Sequence, residues 1–300
     1  MTINTGAISL ALWPGMQAWW GIGYNEYPEE FKALFDTRKS TKNREELASY
    51  VGAGLLSVKP EGQPIDFDNM RQGFRTRVTN VTYALGFAIT HEAIADNLYR
   101  ELAEFNTKAL ARSSRITKET NAALVYDRAF NSTYTFGDGK EILATDHPNV
   151  SGGTYSNELA TAADFSQAAV EQATIDIDSF TDDRGLQMQV RAKKLIVPKE
   201  LRFDVKRILE SPLQSNTAEN AVNVVRDVFS DGYTINHYVT DTDAWFIRTD
   251  VPNGMIHFER EGDMFDQDKD FTTRNLRYIG MGRYSFTVGD PKSLFGSPGA

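Results

Sequence analysis

The chain has 300 residues, 41% of them apolar and 11% aromatic, with a formal net charge of −9 and a pI near 5.1. That composition supports a sizeable core over a length of about two ordinary domains, while the acidity argues against a protein that wraps phosphate backbones, whose affinity comes from Lys and Arg. An acidic shell around DNA stays open. The lack of cysteine removes disulfides, thiolate metal ligands and cysteine nucleophiles, in keeping with a reducing compartment.

Residues 1–35 carry Trp13, Trp19 and Trp20 among Gly15, Gly21 and Gly23. Glycine at this density opposes regular structure, and large aromatics need a surface to leave water. The favoured reading is an arm whose tryptophans dock on another subunit; the alternative is that they fold back on their own core. Residues 1–12 have no basic region or small-residue cleavage site, and no long apolar run occurs, so a soluble protein made in the cytoplasm, with no membrane partner, is expected.

Residues 36–80 are rich in charge and turn formers. A short helix is expected over 44–50 and an extended stretch over 55–58, with a turn at Lys59-Pro60-Glu61-Gly62-Gln63-Pro64 and renewed alternation at Ile65 and Phe67. This two-stranded excursion has too few apolar residues to bury itself, and two strands alone are marginal in water. It needs a neighbour, so Lys59, Glu61, Ile65 and Phe67 join the three tryptophans as expected inter-subunit contacts.

From Val81 to Ile89 every second residue is apolar, the period of a half-buried strand. Thr90 then stands as an N-cap, and Ile94, Leu98, Leu102, Phe105 and Ala109 take helical spacing. Residues 87–136 contain neither glycine nor proline, so a helix of some thirty to forty residues, roughly 45–60 Å long, is expected. Helices of that length are coiled coils, membrane spans or the backbone of an elongated subunit. The cluster Arg112-Ser113-Ser114-Arg115 excludes a span and breaks any heptad, leaving the third reading.

Further on, Gly137-Asp138-Gly139 marks a turn and residues 144–157 a loop. Asp164 to Gln167 forms a capping-box pattern before a helix carrying Phe165, Ala169, Ala173 and Ile177. Leu195 to Val197 reads as a buried strand. Pro198 at a helix N1 position then leads into Leu201, Val205, Ile208 and Leu209 on one face. A third helix is expected over 218–229, and strands over 233–238, 244–249, 255–258 and 277–288.

Patterns that would carry catalysis are incomplete. Asp146-His147 has no nucleophile elbow, and His91-Glu92 lacks the second histidine of a zinc motif. Gly137-Asp138-Gly139-Lys140 would need its first phosphate-loop glycine at Tyr134 and a hydroxyl residue at Glu141. Asp266-x-Asp268-x-Asp270 opens like a calcium loop, but Phe271 replaces the glycine and Arg277 the closing glutamate, so it reads as a solvated acidic loop. No catalytic residue, cofactor or metal site is expected.

Four stretches resemble one family in order. Ala144-Thr145-Asp146-His147-Pro148-Asn149 with Gly152-Gly153-Thr154 and Ser156-Asn157 is similar to the T-x-H-P-x…G-G-x-x-S-N stretch of tailed-phage major head subunits. Phe180 to Leu186 followed by Lys194 to Leu201 resembles that family's helix-to-strand passage, and Tyr284-Ser285-Phe286 with Asp290-Pro291 its closing strand. The resemblance implies an α+β fold of the Hong Kong 97 capsid type. Its parts would be an N-terminal arm (1–35), an extended β-hairpin loop (36–81), a peripheral domain on a long spine helix (82–191 and 266–300) and an axial domain (192–265). It also implies a major capsid protein that self-assembles, in hexamers and pentamers, into the icosahedral head of a tailed phage. The head would enclose double-stranded DNA without sequence-specific binding. Some members begin with a charged scaffolding helix that has no room ahead of this arm, so a separate scaffolding protein, beside a portal, is implied, or removal of that segment. The competing class is a cytoplasmic enzyme or ligand-binding protein with an acidic pocket.

Overall fold

The computed structural model describes residues 5–96, 100–213 and 222–300. The elements begin α1 (Thr5–Tyr24), β1 (Asp36–Lys39), β2 (Arg44–Val51), β3 (Arg71–Thr79), β4 (Val81–Ile89), α2 (His91–Ala95) and α3 (Arg100–Asp127). There follow β5 (His147–Pro148), β6 (Thr154–Tyr155), α4 (Gln167–Asp178), β7 (Ala192–Pro198), α5 (Arg202–Leu209) and β8 (Tyr233–Asn236). The chain closes with β9 (Trp245–Thr249), β10 (Met255–Lys269), β11 (Leu276–Val288) and β12 (Leu294–Ser297).

Two four-stranded sheets organise these elements. One has the order β1-β10-β11-β4, antiparallel except where β1 runs parallel to β10. The other has the order β12-β9-β7-β8, with β7 and β8 parallel. This second sheet is covered on both faces. Leu195, Val197, Trp245, Ile247 and Phe295 pack against Val170, Ala173 and Ile177 of α4 and Val205 and Leu209 of α5. Ile196, Phe246 and Leu294 face the other way, toward Ala122, Ala123 and Tyr126 of α3 and toward Phe31 and Phe35. Continuous apolar runs such as Leu195-Ile196-Val197 are what a strand buried on both faces requires.

The alternating strand forms, but its apolar face is only partly covered, with Val81 and Leu85 exposed; the Thr90 hydroxyl caps the next helix by accepting from the Ala93 amide at 3.3 Å. The helix then stops at Ala95, with Asp96 at its C-cap, and α3 is a separate helix of 28 residues, about 42 Å long. Leu98 lies outside the described residues. The expected stripe is also displaced: Leu102, Phe105 and Ala109 are exposed, while Ala103, Thr107, Leu110 and Ala111 are buried. The reason is α1, which packs along α3 and is accommodated best by small residues. At Gly23 a Cβ would stand 2.8 Å from the Lys108 carbonyl oxygen, so glycine permits the close approach. The glycine-rich arm is therefore helical rather than irregular.

Five further expectations are corrected. Residues 44–50 form β2 instead of a helix, because Glu46 sits directly opposite Arg77 on β3 and pairs with it at 3.0 Å; cross-strand pairing overrides local helix propensity. The cap of α4 is Ser166, accepting from Ala169 at 3.2 Å, with Phe165 and Val170 in one apolar cluster as a staple requires. Residues 222–229 form turns, with Val225 and Phe229 buried; residues 218–221 of that expected helix lie outside the described residues. Asp266 and Asp268 lie in β10 rather than in a loop. Pro198 likewise ends β7 and precedes a short 3₁₀ turn, Lys199–Leu201, instead of opening a helix.

Candidate assembly surfaces

The excursion at 36–80 is a hairpin whose ladder, β2 with β3, stops at Val51 and Arg71. Residues 52–70 beyond it have no strand structure. Their turn is the expected one: Gln63 N–H donates to the Pro60 carbonyl at 3.3 Å, and Gly62 takes a φ of 78°, which suits glycine. Lys59, Glu61, Ile65 and Phe67 are all exposed, Phe67 at 95%. So are Tyr50, Leu55, Leu56, Val58 and Met70. An exposed apolar surface of this extent on one loop is more than a monomer in water ordinarily leaves uncovered. The sequence reading named two of these side chains and passed over the other five. A strict alternation count would have found Leu56 and Val58.

The arm's tryptophans dock on their own chain. Trp13 and Trp20 stack on Phe265 of β10 at 5.3 and 4.9 Å between ring centroids, and Trp13 and Trp19 pack around Met16, Ile89, Leu276 and Tyr278. The Trp20 ring lies directly over Gly280 of β11, where a Cβ would be 2.8 Å away. All three rings stay half-buried, and Ile22 and Tyr27 beside them are exposed.

Beneath the arm lies a buried charge network. Lys118 of α3 reaches Asp263 at 2.5 Å, and Asp263 also accepts from the Tyr24 hydroxyl at 2.6 Å. Burial, together with the Asp263 charge, holds the Tyr24 phenol far above its usual range. Arg115 pairs with Glu29, and Glu119 accepts the backbone amides of Glu30 and Phe31 at 2.9 and 3.0 Å, although burial pushes its carboxyl up. His257, at 1% exposure, is depressed to about 4, first by burial and then by Lys118. Arg112 pairs with Glu26 at 2.7 Å on the surface. The three cations Arg112, Arg115 and Lys118 are therefore each paired with a carboxylate of the same chain.

The family-like stretch at 144–157 has a structural explanation. Buried His147 has Nδ1 2.6 Å from Asp138 and Nε2 3.3 Å from the Ile142 carbonyl, so neither nitrogen is left to activate a nucleophile, and Asp146 turns away to Lys140. Gly152 and Gly153 have φ of 100° and 83°, and fully buried Asn157 donates to the carbonyls of Ile142, Pro291 and Leu294 while accepting from Ala144. Among the described residues no group of three or more His, Asp or Glu is placed to hold a metal ion, and no helix is long and apolar enough to cross a membrane.

A spine helix beneath a long sheet, an arm, and a hairpin loop without its own core define the class of a viral shell subunit. The fold is similar to that of a virus-like particle from Pyrococcus furiosus, with TM-score 0.54 and 10% identity over 95% of this chain and 98% of that one. It is similar also to the capsid of cyanophage P-SCSP1u, with TM-score 0.54 and 10% identity over 91% and 88% of the two chains. The procapsid of bacteriophage JBD30 gives TM-score 0.51 and 16% identity over 98% and 76%. No curated protein sequence matches the chain. The model of the family described as phage capsid protein matches residues 74–296, and the chain belongs to that family. It is a structural protein of the virion shell, with the α+β fold of the Hong Kong 97 type.

Proposed function

We propose that this chain is the major head subunit of a tailed phage, arranged as hexamers and pentamers and made in the host cytoplasm. A separate scaffolding protein guides assembly, a portal occupies one vertex, and double-stranded DNA is enclosed without sequence-specific binding. The observation that carries this reading is the hairpin loop, whose exposed Leu55, Leu56, Val58, Ile65 and Phe67 have no core within the chain to join. Neighbouring copies supply the missing burial, with Lys59 and Glu61 at the loop tip flanking the contact. The arm contributes the outer edges of Trp13, Trp19 and Trp20.

The division proposed is an arm over 1–35, a loop over 36–81, a peripheral domain over 82–191 and 266–300, and an axial domain over 192–265. Packing favours counting α4 and β12 with the axial unit, since β12 pairs with β9 and α4 covers one face of the same sheet. The enzyme or ligand-binding alternative is set aside on the family match. Leu56→Ser with Phe67→Ser tests the reading. Each buried side chain of this kind is worth about 1.5–3 kcal/mol, so the double variant should melt like the wild type yet form few shells in negative-stain images. Normal shells at wild-type yield would refute the loop's role.

A further inference from the structure

The turn Asp182-Asp183-Arg184-Gly185 belongs to a stretch that the sequence singled out, and shell formation as described leaves it without a task. Its geometry is fixed. Asp182 Oδ1 accepts the amides of Arg184 and Leu186, both at 2.8 Å, and Gly185 supplies a φ of 79°. The Asp182 amide donates to the Leu186 carbonyl at 2.8 Å, and the Met188 amide to that of buried Phe180, also at 2.8 Å. This turn aims the Arg184 guanidinium at the root of the hairpin loop. Nη1 donates to Asp68 Oδ2 and Nη2 to the Asn69 carbonyl at 3.0 Å. Asp68 Oδ2 also accepts from Gly54 N–H at 2.8 Å, on the opposite limb of the loop, and at Gly54 a Cβ would stand 3.2 Å from Arg184 Nη1. One planar fork thus closes both limbs together and ties them to the connection between α4 and β7. Among the described residues these are the hydrogen bonds that join 52–70 to the chain outside the hairpin.

We infer that Arg184 is a positioning residue for assembly. Through Asp68 it sets the angle at which the loop leaves the subunit, and so the part of the neighbouring copy that the loop's apolar side chains meet. A planar guanidinium can bridge a carboxylate and a carbonyl; a lysine ammonium is a point donor and cannot hold both in one plane. The inference rests on the loop being an inter-subunit contact.

The test compares the full-length wild type with Arg184→Ala, Arg184→Lys, Asp68→Ala and the Arg184→Ala/Asp68→Ala pair. Hydrogen exchange of the Gly54 and Asn69 amides should speed up at least about tenfold in Arg184→Ala, which removes both of the guanidinium's charge-assisted hydrogen bonds. The double variant should exchange no faster than the faster single, because the two side chains act as one latch. The melting temperature of the isolated subunit should not move, while particles in negative stain become mixed in size, with Arg184→Lys intermediate. Unchanged loop exchange, or uniform particles of wild-type size, would overturn the inference. A subunit lacking 52–70 that still formed normal shells would overturn the loop-contact reading itself.

Discussion

Trp20→Ala distinguishes an arm that stabilises its own subunit from one that acts solely between subunits. The indole stacks on Phe265 at 4.9 Å and covers Gly280, and about 100–150 Å² of its surface leaves water, a little over half of a large aromatic. At about 25 cal/mol per Å² this gives roughly 2.5–4 kcal/mol, and with partial collapse of the site the expected loss is about 3 kcal/mol. The isolated subunit should melt about 6 °C lower, taking about 2 °C per kcal/mol for a chain of this size. Gly280→Ala probes the same contact from the other side. Its new methyl meets Trp20 Cη2 at 2.8 Å and should cost about 1–3 kcal/mol in the wild type. In the Trp20→Ala background the nearest remaining neighbour is Leu110 at 3.4 Å, an ordinary contact, so the cost there should nearly vanish. Urea denaturation of the four proteins completes the cycle. A Trp20→Ala subunit as stable as the wild type, or a Gly280→Ala cost equal in both backgrounds, would refute intramolecular docking.

Lys118→Met should destabilise the subunit by about 3–5 kcal/mol by leaving Asp263 buried without its cation, whereas Lys118→Met with Asp263→Leu should recover most of that loss; a double variant worse than the single would contradict it. His257 has a folded pKa of about 4 against an unfolded value of 6.5, so the unfolded chain binds the extra proton between them. Its contribution is fully present above pH 6.5 and is lost as pH falls toward 4, by about 3 kcal/mol in all. His257→Phe should flatten the melting temperature over that interval, and an unchanged pH profile would show that other groups set it. With Arg112, Arg115 and Lys118 paired internally, isolated subunits should bind duplex DNA no tighter than about 10⁻⁴ M at physiological salt; micromolar, salt-sensitive binding in an anisotropy titration would refute this.

Elements whose pattern has a single reading were legible from sequence. The Thr90 cap and the apolar runs of β7 and β9 each fit one environment, and the alternation of β4 marked a strand even though Val81 and Leu85 stay exposed. The α3 face was not legible, because two stripes share its period. Leu102-Phe105-Ala109 is the more hydrophobic, yet Ala103, Thr107 and Ala111 are buried because a second helix must approach closely. Arg115, Lys118 and Glu119 are buried too, which no hydrophobicity count anticipates; their partners come from residues 29–31 and 263, far away in sequence. On the surface, the loop's need for a neighbour was readable from its poverty of core. Which of its side chains are left exposed was not, since exposure depends on what the rest of the fold leaves uncovered. Phe271, read from the sequence only as the residue that spoils a calcium loop, is 96% exposed at the tip between β10 and β11 for that reason.

Asn157 has a bearing on the order of events during synthesis. Its side chain joins Ile142 and Ala144 to Pro291 and Leu294, and the adjoining β12 supplies Phe295 and Leu294 to both faces of the second sheet. The amide of Asn157 and the carbonyl of Leu294 are separated by 137 residues. At about 5–20 residues per second, the partner follows roughly 7–30 s later. Until then the amide is unsatisfied and β9 has an open edge. The sheet closes only once β12 has been made, so a nascent chain that has not reached Leu294 offers no finished surface there for a neighbour to join.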